Sequence, residues 1–121
     1  MTSLIDEIRA GGAAAPDPAF PHAPAGWTQA LAAESARREG LALGDEHWAA
    51  VRALQEYFAR HEPTAINLRE LHDALDEKFH RQGGIRRLYL LFPGGPVAQG
   101  CRVAGLKAPA GATDKGFGSV A

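Results

Sequence analysis

Cysteine is almost absent from this sequence, in which Cys101 is the single thiol among 121 residues. No internal disulfide can form, and any cystine would have to join two molecules. The sequence also has no apolar run that approaches the roughly 20 residues needed to span a membrane. Its opening stretch, MTSLIDEIRAGG, lacks the basic and then apolar order of a secretory signal. These absences favour a protein of the cytoplasm, where thiols stay reduced.

The histidines lack the spacing of a metal site. No pair among His47, His61, His72 and His80 stands four residues apart, and no second cysteine completes a zinc-finger pattern. No nucleophile and base form a recognisable motif, and no cofactor fingerprint is present. The stretch PGGP at 93–96 lacks the Lys-Ser/Thr of a phosphate loop and a strand before it. We therefore predict no metal, no cofactor and no stand-alone catalytic site.

The charges are unevenly distributed along a chain of otherwise ordinary composition, with 45% hydrophobic and 22% charged residues. Residues 1–77 hold 6 basic and 13 acidic side chains, whereas residues 78–121 hold 7 basic side chains and only Asp114 as an acid. The carboxy-terminal third is therefore electropositive. Such a field favours an anionic partner and a thiolate at Cys101. The alternative is a solvated basic surface with no special partner.

The amino-terminal half contains one segment that excludes helix and two that favour it. Four prolines lie between residues 11 and 26, so residues 1–26 are predicted to be an extended, Pro-rich segment. Trp27 opens a stretch rich in Ala, Leu, Glu and Arg that predicts a helix ending near Gly40. The clearest helical period predicts a helix over 45–60, with its apolar face formed by Trp48, Val51, Leu54 and Phe58.

The carboxy-terminal half continues this helical pattern and then loses it. A further amphipathic helix is predicted over 67–80, where Asn67 and Glu70 resemble a capping box. A short apolar helix over 85–92 must end at Pro93, and Pro96 is suited to the first position of another helix. Residues 105–121 have no apolar period and much Gly, Ala and Pro, which predicts a mobile carboxy-terminal arm.

Three stretches, in this order and spacing, resemble the DsrC/TusE/DsvC family of small sulfur-relay proteins. They are WTQALAAESARREGLALGDEHW at 27–48, LYLLFPGGP at 88–96 and QGCRVAGLKAPAG at 99–111. The most specific part is LFPGGPxxQGCRxAGL, because few unrelated sequences place both prolines, both glycines and the thiol at these positions. The resemblance covers residues 19–112.

The resemblance implies an α+β, mostly α fold. Besides the helices that the apolar period predicts, it implies a helix-turn-helix-like middle, a small N-terminal β-meander and a flexible carboxy-terminal arm. Residues 20–24 read FPHAP, where the family usually has apolar β-formers. Together the two lines of reasoning predict a single domain over 1–121, in which a helical bundle at 27–104 is followed by the arm at 105–121.

The resemblance also implies that the arm carries sulfur. In the family a cysteine near the chain end accepts persulfide from sulfurtransferases, and a second cysteine upstream can join it through sulfur. Cys101 matches the upstream cysteine. The position that matches the family's terminal cysteine is Ala112, which is followed by residues 113–121. A disulfide or trisulfide within one arm is therefore excluded, because Ala112 offers only a methyl group.

Two interpretations of Cys101 stay open. As a candidate catalytic thiol it would form a persulfide, a mixed disulfide or, when oxidised, a covalent dimer of an otherwise monomeric chain. As a packing residue it would hold the arm to the core. Four basic residues are candidate partner-binding positions: Arg86, Arg87, Arg102 and Lys107. Gly94 and Gly95 are a candidate arm hinge, with a simple tight turn as the alternative.

The function predicted from these features is a sulfur-relay protein that docks through its basic arm, either carrying sulfur on Cys101 or regulating without carrying it. Sulfurtransferases or a dissimilatory-type sulfite reductase are the partners that the resemblance implies, and sulfur carriage is the most enzyme-like role it allows. The alternative is a helix-turn-helix-type nucleic-acid-binding regulator, because Arg81, Arg86 and Arg87 follow two predicted helices.

Overall fold

Five α-helices follow one another in the computed structural model, which describes residues 17–112. They are α1 at Gln29–Arg38, α2 at Asp45–Arg60, α3 at Leu68–Lys78, α4 at Gly84–Leu91 and α5 at Ala98–Ala104. Short 3₁₀ turns at Pro63–Ala65 and His80–Gln82 precede and follow α3. The prediction of a mostly helical bundle is confirmed. No helix within residues 17–112 is long and apolar enough to cross a membrane.

The small β-meander that the resemblance implied is not found in residues 17–112, which contain no strand. The chain before α1 instead makes three successive turns. Their backbone hydrogen bonds join Phe20 to Asp17 at 2.9 Å, Ala23 to Phe20 at 3.1 Å and Trp27 to Pro24 at 3.1 Å. The prolines of this stretch fix φ for turns and have no N–H to give to a strand. The prediction for residues 1–16 lies outside the described residues.

Side chains next to the helices account for where the helices begin. Thr28 Oγ1 accepts a hydrogen bond from Leu31 N at 3.0 Å, so α1 begins just after the predicted Trp27. Asn67 Oδ1 caps α3 in the same way, accepting from Glu70 N at 2.8 Å. At α2 the imidazole of His47 replaces a conventional cap, because its Nδ1 accepts from Gly44 N at 3.0 Å.

The core is organised around α5. This helix packs against α1 and α2, while α3 packs against α4. Every residue of α5 except Arg102 is buried. A Cβ atom at Gly100 would stand 2.9 Å from Leu54 Cδ1, so this glycine permits the close approach of α5 to α2.

The four carbonyl groups at the end of α5 all accept hydrogen bonds. Leu106 N donates to Cys101 O at 2.8 Å, and Gly105 N donates to Arg102 O at 3.4 Å. The last two bonds come from distant side chains. Trp27 Nε1 donates to Val103 O at 2.8 Å, and Gln55 Nε2 donates to Ala104 O at 3.0 Å. The base of the arm is therefore fixed by α2 and by the segment before α1.

Two glycines with the same backbone conformation test this anchoring. Gly40 and Gly105 both have φ of 77°, but a Cβ at Gly105 would lie 2.8 Å from Trp27 Cδ1, whereas a Cβ at Gly40 meets nothing within 4 Å. We expect Gly40→Ala to cost about 1 kcal/mol of unfolding free energy from the left-handed backbone alone. Gly105→Ala should cost about 2–4 kcal/mol, because the indole must also move from Val103 O. Urea unfolding measures both, and equal losses would contradict the anchoring role of Trp27.

Candidate functional site at the base of the arm

The only thiol of the chain lies inside the core. Cys101 is the central residue of α5, and none of its surface is exposed. Burial raises the pKa of the Cys101 thiol to about 12, and the adjacent Arg102 guanidinium lowers it only in part. The expectation that positive charge would stabilise a thiolate here is therefore wrong for this conformation. The loss of solvent around the sulfur outweighs the attraction of one nearby cation.

Arg102 forms an ion pair with Glu39. Its Nε and Nη2 donate to the two carboxylate oxygens of Glu39 at 2.8 and 2.7 Å. Glu39 follows the last residue of α1, so this bidentate pair joins the ends of two helices. The hydrogen bonds from Arg102, together with one from Gln99, hold the pKa of the Glu39 carboxyl below its usual value.

Gln99 extends this ion pair to the candidate hinge. Its Nε2 donates to Glu39 Oε1 at 2.9 Å, and its Oε1 accepts from Gly94 N at 2.8 Å. Gly95 N donates to Phe92 O at 2.8 Å with φ of 108°, which closes a tight turn that only glycine adopts easily. Gly94 and Gly95 are both buried. The turn is thus held by the same side-chain network that holds Arg102, while its use as a hinge stays a prediction.

The four predicted partner-binding cations do not gather around the thiol. Arg102 is the one whose charge acts on Cys101. Arg87 instead contacts the carboxylate of Glu46 at the start of α2, with Nε 3.0 Å from Oε2 and a second contact through Nη2. Arg86 on α4 and Lys107 beyond α5 are exposed. Two cations are therefore partly neutralised by carboxylates, and two are presented to solvent.

The described part of the arm lies against the helices. Leu106, Ala108 and Ala112 pack against the core. Ala112, the position that the resemblance matches to the family's terminal cysteine, borders a small cavity of about 50 Å³ whose lining includes His72 and Tyr89. The mobility predicted for residues 105–121 stays a prediction, and residues 113–121 lie outside the described part.

Several residues that build this site were not singled out from the sequence. Gln99 and Glu39 lie within the motif stretches, and Gln99 is part of the most specific one, which is a signal that could have identified it. Gln55 gave no such signal, because it is a polar residue in the middle of a helix yet only 1% exposed. Its Oε1 atom has no hydrogen-bond partner among the described residues. No group of three His, Cys, Asp or Glu side chains within residues 17–112 is placed to hold a metal ion.

Comparison with known proteins points to one family. The family described as "DsrC like protein" matches residues 14–112. A protein named Sulfurtransferase TusE from Salmonella paratyphi A is 40% identical over 84 residues, which are 69% of this chain and 76% of that protein. Proteins of the same name from Escherichia coli K12 and Sodalis glossinidius are 38% and 36% identical over the same lengths, covering 76% and 77% of those proteins. No solved structure matches the chain. This chain belongs to the DsrC-like protein family.

Proposed function

We propose that this chain is a sulfur-relay protein of the cytoplasm that docks on sulfurtransferases and regulates them without carrying sulfur on Cys101. Family membership and the name of the relatives support the relay role. The burial of Cys101 supports the non-carrier form of that role, because its thiol is fully enclosed by the core. A dissimilatory-type sulfite reductase is a further partner of the same kind.

The chemistry of persulfide transfer explains why burial matters. A thiolate attacks the outer sulfur of the donor persulfide, a new S–S bond forms, and the donor cysteine leaves as a thiolate. The acceptor sulfur must therefore be both ionised and accessible. With a pKa of about 12, roughly one Cys101 in 10⁵ is ionised at pH 7, compared with about one in thirty for an ordinary thiol with a pKa of about 8.5. Enclosure of the sulfur also argues against a covalent dimer through this residue.

Arm docking does not require the thiol. Arg86 and Lys107 are exposed and lie in the electropositive third of the chain, so they are suited to an anionic surface on a partner. Arg87 and Arg102 are already paired with Glu46 and Glu39. The first pair joins α4 to α2, and the second joins α5 to the end of α1. We propose Arg86 and Lys107 as primary contacts and Arg87 and Arg102 as supporting ones.

A helix-turn-helix nucleic-acid-binding role is not favoured. The relatives are named as sulfurtransferases, and of Arg81, Arg86 and Arg87, on which this alternative rests, Arg87 is paired with Glu46. The sequence pI near 6.5 also gives a weak basic footprint for binding phosphates.

Intact mass measurement tests whether Cys101 accepts sulfur. The wild-type chain, Cys101→Ser and the double variant Cys101→Ser/Ala112→Cys are each mixed with a persulfide-loaded sulfurtransferase. The double variant should gain about 32 Da, the mass of one sulfur atom, and the wild-type chain should gain nothing. Wild-type chain unfolded in urea and treated with polysulfide provides the control that Cys101 itself is chemically competent. A gain by the folded wild-type chain that Cys101→Ser abolishes would establish the carrier role instead.

Competition tests the docking role. Excess wild-type chain should slow sulfur transfer from the sulfurtransferase to the double variant, because both occupy the same partner surface. Arg86→Glu/Lys107→Glu in the competing chain should weaken its inhibition about tenfold, since two attractive charges become repulsive. Arg60→Glu/Arg69→Glu is the matched control, because it reverses two other exposed cations of the chain. Undiminished transfer in the presence of the wild-type chain would refute the regulatory role.

The pH dependence of stability tests the enclosure of the thiol. The folded-state pKa of about 12 lies above the 9.0 of a free thiol, so the contribution of the protonated thiol is complete below pH 9 and is lost as pH rises from 9 to 12. Between pH 7 and pH 10 the wild-type chain should lose about 1 kcal/mol more unfolding free energy than Cys101→Ala. Urea unfolding at both pH values measures the difference. Parallel losses in the two proteins would mean that the folded chain ionises Cys101 as easily as the unfolded chain does.

A further inference from the structure

An open groove of about 300 Å³ runs beside the base of the arm, between the turn before α1, α1 itself and the end of α5. We call it the Trp27 groove. Its lining is mainly apolar, and Ser35 and Arg102 supply its polar side chains. The full lining is Pro24, Ala25, Gly26, Trp27, Leu31, Ala32, Ser35, Arg102, Val103 and Gly105.

Leu31 on the rim of the groove is unusually exposed for a leucine. It is 58% exposed, and among residues 17–112 only one other large hydrophobic side chain, Leu90 at 72%, is exposed to a similar degree. Burying such a side chain in a partner is favourable, because its remaining apolar surface is removed from water. Leu31 differs from Leu90 in standing beside a concave apolar surface, which is the geometry that accepts a side chain from another molecule.

The floor of the groove is held in place before any partner arrives. The indole of Trp27 is fixed by its hydrogen bond to Val103 O and by Phe20, whose ring centroid is 4.9 Å away. Ala32 and Val103 are buried beneath the surface. A preformed floor lowers the conformational entropy lost on binding, so even a short segment can bind measurably.

The charges around the groove favour an acidic partner. Leu31, Ser35 and Arg38 recur at spacings of four and three along α1 and so share one face. Arg102 lines the groove, and exposed Lys107 follows two residues after Gly105. Glu34 and Glu39, the carboxylates of α1 and its end, are already in ion pairs with Arg37, Arg38 and Arg102. The exposed cations Arg38 and Lys107 therefore favour a partner that carries carboxylates.

We infer that the Trp27 groove binds a short segment of a partner protein in which an apolar side chain is flanked by aspartate or glutamate. The apolar side chain lies against Trp27 and Val103, and Leu31 covers it. The flanking carboxylates lie near Arg38, whose side chain is 74% exposed, and near the exposed Lys107. This inference deepens the proposed function, because it names the chemistry by which a relay partner is recognised, and it does not depend on whether Cys101 carries sulfur.

Nuclear magnetic resonance titration of the full-length chain tests the inference. The probe is the peptide acetyl-Glu-Asp-Leu-Phe-Asp-Glu-amide, and the signals followed are the Trp27 indole N–H and the amides of Leu31 and Val103. We expect saturable shifts at these positions. Leu31→Glu should weaken binding at least about tenfold, because it removes an apolar contact and adds a repelling carboxylate. Leu90→Glu is the matched control and should change the affinity less than about twofold.

The remaining outcomes each overturn the inference. Absence of shifts with millimolar peptide would mean that the groove is not a peptide site. Equal binding of a peptide with lysine in place of each acidic residue would refute the charge argument. Dilution-dependent shifts without peptide would identify a second copy as the occupant, and nuclear Overhauser contacts from residues 1–16 or 113–121 would identify the chain itself. Failure of this titration with a positive competition result leaves the proposed function standing and restricts docking to the arm.

Discussion

The end of α5 is the constraint on which the rest of the described structure depends. The last four carbonyl groups of a helix have no partner within it. Because α5 ends inside the core, an unpaired carbonyl there would cost about 1–3 kcal/mol. Trp27 and Gln55 reach the last two carbonyls from parts of the chain 76 and 49 residues away. The turns before α1 and the packing of α2 on α5 are thus coupled, since both must hold a donor at the same helix end.

This anchoring determines the chemistry available to Cys101. Its own carbonyl is the first of the four, and it accepts from Leu106 N as the chain turns away from α5. Trp27 and Gln55 hold the helix against α1 and α2, where its inner face is enclosed, and enclosure removes the water that a thiolate needs. Arg102, the cation next to Cys101 in the chain, forms a bidentate pair with Glu39. Firm attachment of the arm and a reactive thiol at position 101 are therefore opposed in this conformation.

Local signals predicted the helices well, and tertiary contacts explain what the sequence did not reveal. The apolar period over 45–60 matched α2, and Asn67 capped α3 as expected. The β-meander was wrong for residues 17–112, where proline favoured turns. Counting charge along the chain gave a basic third but not the position of Glu39, which lies 63 residues before Arg102 and neutralises it. The burial of Gln55 and Cys101 likewise follows from contacts between distant segments, which the spacing of apolar residues along the sequence does not reveal.

Positions 101 and 112 differ in what else depends on them. Cys101 belongs to a buried helix whose end is held by Trp27 and Gln55, so exposing its sulfur requires those bonds to break. Ala112 lies beyond all of these contacts, at the edge of a small cavity, and its methyl group takes part in none of the hydrogen bonds that fix α5. None of the hydrogen bonds that fix the end of α5 involves position 112, whereas Cys101 lies on the helix that they hold. Under the proposed function, alanine at 112 leaves the attachment of the arm and its exposed cation Lys107 in place, and it provides no sulfur at the position that the resemblance matches to the family's terminal cysteine.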